Sequence, residues 1–200
     1  GIDQMLVSDS YAIFYLTGKM IHPGERLLAL YLNVNGNHKM FINELFPVNE
    51  DLGLEMVWFN DTQNAVEIVA NNINKTGTIG IDKNWPAKFL LALMDLCKNC
   101  KFVNSSYIVD TLRSSKDEEE KDLMRKASAL NDEAMKILKS IISDDLTEKQ
   151  LANKLAGIYE DLGADGFSFS PIIGFGPNGA DPHGTPGDRK VKVGDSIILD

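Results

Sequence analysis

The residues best suited to chemistry lie in the last fifth of the chain, and each has a bland reading beside a sharp one. His183 sits in Asp181-Pro182-His183-Gly184, where Pro182 biases Asp181 toward an extended backbone and Gly184 lets a ligand or another backbone approach closely. An imidazole on such a stiffened loop suits a group that must meet a substrate; the alternative is a solvated loop histidine. Asp200 follows Ile197-Ile198-Leu199 directly. A carboxylate closing an apolar strand calls for a metal or another cation, or else it starts a turn.

Two further motifs invite chemistry and lose it on inspection. Cys97-Lys98-Asn99-Cys100 has the spacing of zinc and dithiol redox sites. Two thiols are half of a structural zinc's ligands, and His22, His38 and His183 lack metal-site spacing. The pair also falls at the C-terminal end of an expected helix, where the dipole opposes a thiolate, so both read as structural or incidental thiols. Gly174-Phe175-Gly176-Pro177-Asn178-Gly179 matches GxGxxG, but two prolines and a glycine follow where a dinucleotide site needs a helix. Ala180, not Lys, follows Gly179, so a P-loop fails too, and a glycine-rich loop remains. The sequons at Asn60, Asn74 and Asn104 read as chance in an Asn-rich chain without an export signal.

The elements that must position His183 and Asp200 follow from periodicity. Met5-Leu6-Val7, Ile13 to Leu16 and Leu27 to Leu32 are short apolar runs that predict buried strands. Asn35-Gly36 predicts a hairpin into Met40-Phe41-Ile42. Strands are then expected at Glu55 to Phe59, Thr78 to Asp82 and Lys101 to Asn104, and helices at Thr62 to Asn74 and Trp85 to Cys97. A charge run begins near Arg113. Ser115 with Glu118 fits a capping box, and Leu123, Ala127, Leu130, Ala134, Leu138 and Ile141 form one stripe on a long helix. Thr147 with Gln150 caps a second helix that Gly163 can end, and a Gly/Pro-rich β segment runs from Phe167.

The expected class is α/β, with domains at 1–111 and 112–200. Its 200 residues, 44% of them hydrophobic, suffice for a sizeable core without staples. With 20 Lys and Arg against 29 Asp and Glu, the formal charge of −9 repels phosphate backbones and anionic lipid, so nucleic acid is not an expected partner. No apolar run approaches the roughly 20 residues of a membrane span, and the cytoplasm is the expected compartment. The start at Gly1-Ile2-Asp3 and the apolar run just before Asp200 create the expectation of an excerpt from something longer.

Together these segments resemble the creatinase/prolidase group of metallopeptidases, the Xaa-Pro dipeptidases and aminopeptidases. Tyr15-Leu16-Thr17-Gly18 and Thr78 to Asp82 look like its N-domain, with Ala12 departing from the Asn common there. Arg113 to Lys116 with Ala127 is similar to the entry into the catalytic domain, and Thr147-Glu148 to the start of its second helix. The most specific stretch runs from Phe167-Ser168-Phe169 through Gly174, Gly176, Asn178 and Pro182-His183-Gly184 to Gly194-Asp195 and Leu199-Asp200.

The resemblance implies a creatinase-like mixed-sheet domain followed by the start of a pita-bread α+β catalytic domain. It implies hydrolysis of the peptide bond before proline with two divalent metals, Mn²⁺ or Co²⁺ ahead of Zn²⁺ or Fe²⁺. Asp200 is then the first Asp ligand, and His183 binds the substrate near its scissile bond and stabilises the developing oxyanion. The other ligands would lie downstream, so these 200 residues alone are expected to be inactive. Proline-containing peptides and a second copy in a homodimer are the implied partners. A metal-free creatinase-like amidinohydrolase using His183 as base, or a non-catalytic pita-bread module binding peptides or proteins, are the rivals.

Overall fold

The computed structural model covers residues 1–200 and divides into two compact units, Gly1–Ser115 and Lys116–Asp200. The first is built on a six-stranded sheet of β1 (Gln4–Val7), β2 (Ala29–Asn33), β3 (Lys39–Asn43), β4 (Glu55–Phe59), β5 (Gly77–Ile81) and β6 (Cys100–Asn104). Their order is β4-β3-β2-β1-β5-β6. β1 and β2 pair antiparallel, as do β2 and β3, whereas β3–β4, β1–β5 and β5–β6 are parallel, which makes the sheet mixed. Four helices cover it: α1 (Ser10–Thr17), α2 (Ala65–Asn71), α3 (Ala87–Leu96) and α4 (Ser106–Ser114).

Two-residue alternation divides the sheet's apolar side chains between two cores. Leu6, Ala29, Tyr31, Phe41 and Ile79 pack with Val66, Val69 and Ala70 of α2 and Leu93 of α3. Met5, Val7, Leu30, Met40 and Ile42 pack with Ala12 and Ile13 of α1 and Val109 of α4. A sheet covered on both faces needs apolar residues on both, which is why β1 reads as an unbroken apolar run. The expected mixed α/β class is therefore present.

Three local expectations are corrected. Ile13 to Leu16 lie in α1 and not in a strand: the Asp9 side chain accepts the Ala12 N–H at 2.7 Å, and Gly18 closes the helix at φ 72°. A short apolar run cannot reveal that difference by periodicity. The long helix α5 (Glu118–Ser140) starts from Asp117, which forms a capping box with Glu120 two residues later than expected, because Ser115 caps the end of α4. The β segment after Phe167 contracts to two three-residue strands. Asn-Gly serves the β2–β3 hairpin as expected, although only Gly36 takes a positive φ, 83°.

The sequons are turn chemistry. Asn60, Asn74 and Asn104 each accept, through the side-chain oxygen, the backbone N–H two residues on, at 3.1, 3.0 and 3.0 Å.

The second unit contains α5, α6 (Glu148–Asp161), and an antiparallel pair of β7 (Ile173–Phe175) and β8 (Ile197–Leu199). Thr147 and Gln150 make the expected capping box on α6, and Gly163 follows its end at φ 81°. Ala134 and Leu138 of α5, Leu151 and Leu155 of α6, and Ile173 and Phe175 of β7 form the buried core. Burying a leucine is worth about 1.5–3 kcal/mol, so Leu138 and Leu151 hold the helices to the hairpin. Only the C-terminal half of the α5 stripe is buried; Leu123 stays 57% exposed. No helix is long and apolar enough to cross a membrane.

Candidate functional site

The segment between β7 and β8 carries His183. It leaves β7 through a 3-10 turn, Gly176–Ala180, and the glycines of GxGxxG explain how. A Cβ on Gly174 would lie 2.9 Å from both Cα and N of Gly179, and one on Gly179 would meet Ile198 Cγ1 at 3.0 Å. Gly176 takes φ 53°, and a Cβ there would collide with Asp195 Oδ1. The motif thus folds the turn tightly against its own hairpin, in keeping with the glycine-rich loop expected.

His183 is exposed at the tip of the turn that follows. Its N–H donates to Asp181 Oδ1 at 3.0 Å, and the Gly184 N–H donates to the Asp181 carbonyl at 3.1 Å. Asp181 in turn donates its N–H to the Asn178 carbonyl at 3.3 Å. The imidazole is therefore free while its backbone is fixed.

Asp200 continues the β7–β8 ladder. It donates its N–H to the Ile172 carbonyl at 2.9 Å and accepts the Ile172 N–H at 2.7 Å. It borders a cleft of about 800 Å³ shared with Leu130 of α5, Tyr159 of α6, and Phe167 and Phe169. Asp181 and Gly184, on either side of His183, border a different, smaller cleft of about 250 Å³ with Gly174, Gly179 and Ile198. Asp200 and the residues flanking His183 thus border two clefts, on one shared hairpin.

The side chain that ties this region together is one the sequence marked only as the start of a helix. Glu148, the first residue of α6, is completely buried. Its Oε1 accepts the Phe175 N–H at 2.8 Å and the Asn178 amide at 3.0 Å; its Oε2 accepts the Gly187 N–H at 2.9 Å. The first N–H groups of α6 reach the same segment, Glu148 to the Arg189 carbonyl and Lys149 to the Gly187 carbonyl, both at 3.0 Å. Helix-start donors are otherwise orphaned, so the loop and the helix complete each other. The signals in the sequence were the capping box, which pins Glu148 to the first helical position, and the Thr147-Glu148 pair in the family resemblance.

Arg189 and Asp195 brace the return to β8, with Nη2 2.9 Å from Oδ2. Burial pulls the Asp195 carboxyl upward, but the Lys192 N–H and the Arg189 guanidinium outweigh it and hold it below the usual carboxylate range.

The two cysteines belong to the first unit. Cys97 caps the end of α3 and is buried, Cys100 opens β6, and both are free thiols. Burial pushes both thiols up, with the neighbouring Cys100 adding to the effect at Cys97. That is the opposite of what a redox thiolate or a metal ligand needs.

Comparison with known proteins places these observations. The family model for the creatinase/prolidase N-terminal domain matches residues 1–115, and that for metallopeptidase family M24 matches residues 122–200. An uncharacterized peptidase of Staphylococcus saprophyticus is 30% identical over 202 residues, an alignment covering 99% of this chain and 57% of the relative. A prolidase from Thermococcus sibiricus superimposes with a TM-score of 0.90 at 30% identity, covering 100% of this chain and 56% of that one. A dipeptidase from Pyrococcus horikoshii gives 0.87 at 30% identity, with 100% and 57% covered. The chain therefore spans a little over half the length of these relatives.

Family M24 implies divalent metal ions. The donor set of these 200 residues does not fit a metal centre by itself, since no three His, Cys, Asp or Glu side chains are grouped to hold an ion. Asp200 could contribute one carboxylate and no more. With both segments matched in order along the chain, the protein belongs to the creatinase/prolidase family of metallopeptidases.

Proposed function

We propose that this chain is the N-terminal part of an exopeptidase that hydrolyses the peptide bond before proline. The observation that carries this reading is the ordered match of both segments to the family, together with 30% identity and a TM-score of 0.90 to a prolidase. Residues 1–111 are the creatinase/prolidase N-terminal domain in this reading, and residues 112–200 are the opening portion of the pita-bread catalytic domain.

His183 is the group that meets the substrate. Exposed on a turn whose backbone is fixed by Asp181, it can donate a hydrogen bond to the scissile carbonyl as negative charge develops on its oxygen. Because the donor is held in place before the substrate arrives, little reorganisation is needed in the transition state. Asp200 supplies one carboxylate toward a pair of divalent ions, Mn²⁺ or Co²⁺ by its preference for oxygen donors, and the remaining ligands come from outside these 200 residues. A cytoplasmic homodimer acting on proline-containing peptides belongs to the same reading.

Assay of the polypeptide encoded by the complete reading frame tests this. Xaa-Pro dipeptides and longer Xaa-Pro peptides should be cleaved before proline in the presence of Mn²⁺, and a chelator should abolish the reaction. Turnover of creatine, or binding of proline peptides without cleavage, would overturn it.

A further inference from the structure

Glu148 has no catalytic position and no cationic partner, yet it is completely buried. A side chain that only needed to begin a helix could remain in solvent. Its two oxygens are instead filled by amide donors from three places: the end of β7 at Phe175, the 3-10 turn at Asn178, and the return segment at Gly187. Asn178 and Gly187 lie on opposite sides of His183. The Asn178 carbonyl receives the Asp181 N–H, and the Asp181 side chain receives the His183 N–H, so a continuous chain of hydrogen bonds leads from Glu148 to the His183 backbone.

We infer that Glu148 is a positioning residue for His183: a buried carboxylate that clamps both arms of the His183 loop to the start of α6. The inference rests on the reading above, in which His183 meets the substrate. Every group the clamp holds is an N–H donor, so an acceptor-only side chain is required. Glutamine at this place keeps one acceptor but turns an NH₂ toward donors that then lose their partner. A loop loosened in this way displaces His183 from the reacting atoms and slows turnover more than it weakens substrate binding.

The test uses the polypeptide of the complete reading frame with Glu148→Gln, Asn178→Ala and the double variant Glu148→Gln/Asn178→Asp. Each is read by Xaa-Pro dipeptide kinetics and by amide hydrogen exchange at Phe175 and Gly187. Glu148→Gln should lower kcat on the order of 10- to 100-fold. KM should stay within about threefold. Asn178→Ala should do the same more mildly, and the double variant, which returns a carboxylate to the cluster, should recover part of the loss. Exchange at Gly187 should accelerate in Glu148→Gln. Unchanged kcat, a loss confined to KM, or unchanged exchange at Gly187 overturns the inference. If Glu148→Gln does not fold, Asn178→Ala decides, because Asn178 is exposed and its removal spares the core. If the unsubstituted protein cleaves no Xaa-Pro peptide, the proposed function fails separately, and exchange at Gly187 still decides whether the clamp exists.

Discussion

Gly174 and Gly179 press backbone against backbone: a Cβ on Gly174 would stand 2.9 Å from the Cα and N of its neighbour. Neither atom can swing away as a flexible side chain could, so the 3-10 turn would have to lift from β7. Gly174→Ala should therefore destabilise the second unit by about 1–3 kcal/mol. Gly157 is the internal contrast, since it lies inside α6 with nothing within 4 Å of an added Cβ. Gly157→Ala should stabilise the same unit by about 1 kcal/mol. Urea unfolding followed by helical circular dichroism checks both, and equal effects of one sign would contradict the packing described.

Activity and stability should separate at His183. Its side chain is exposed and its structural role is confined to the backbone N–H, so His183→Ala should shift the unfolding free energy by no more than about 0.5 kcal/mol. In the polypeptide of the complete reading frame the same change should cost on the order of 100-fold in kcat, the scale of losing one oxyanion donor. Thermal unfolding and dipeptide kinetics on one preparation distinguish this from a solvated loop histidine, which would leave both unchanged.

Residues 1–200 by themselves should show no Xaa-Pro peptidase activity with Mn²⁺. A two-ion site needs several carboxylates or imidazoles converging on each ion, and here Asp200 shares its cleft with one other carboxylate, Asp165, and no three such side chains are grouped. Measurable Mn²⁺-dependent cleavage by the purified 200-residue polypeptide would refute the assignment of the missing ligands to residues outside it.

The two thiols should be sluggish. Burial raises both above their ordinary range, so little thiolate is present near neutral pH to attack an alkylating agent. Iodoacetamide should modify Cys97 and Cys100 far more slowly in the folded chain than in urea. Rapid modification of either in the folded chain would revive the redox reading of Cys97-Lys98-Asn99-Cys100.

The sequence exposed features whose causes are local and hid those whose causes are distant. The Thr147–Gln150 cap, the Gly163 stop and the strands of the mixed sheet follow from neighbouring residues and from burial on both faces. α1 was hidden because an eight-residue apolar helix and a buried strand share one composition, and only the Asp9 cap separates them. Two overlapping caps, Ser115–Glu118 and Asp117–Glu120, fit the spacing equally, and the presence of α4 decides between them. His183 and Asp200, the residues proposed for the site, were legible as residue types in suggestive places. Glu148 was not, because its partners lie 27, 30 and 39 residues further along the chain.

Asp82 provides a pH test confined to the first unit. It is buried at the end of β5, where its side chain accepts the N–H groups of Ser8, Asp9 and Asn84. Burial raises its carboxyl above the usual value and outweighs those three donors, which pull it down. Between the unfolded value near 3.8 and the higher folded value, the folded chain holds more protons than the unfolded one. Stability contributed by Asp82 must therefore be greatest at the acid end and decline as pH rises through that window, becoming level above it. Exposed Glu50 and Asp61 act in the opposite sense, lowered by hydrogen bonds from Lys19 and Arg26, and their stabilisation is lost as pH falls. Comparing the unsubstituted chain with Asp82→Asn cancels their contribution. Both tryptophans, Trp58 and Trp85, belong to this unit, so fluorescence-detected unfolding reads it alone. The stability of the unsubstituted chain relative to Asp82→Asn should fall as pH increases from below 4 toward neutrality, and a difference that stays constant or grows would show that burial does not govern this carboxyl.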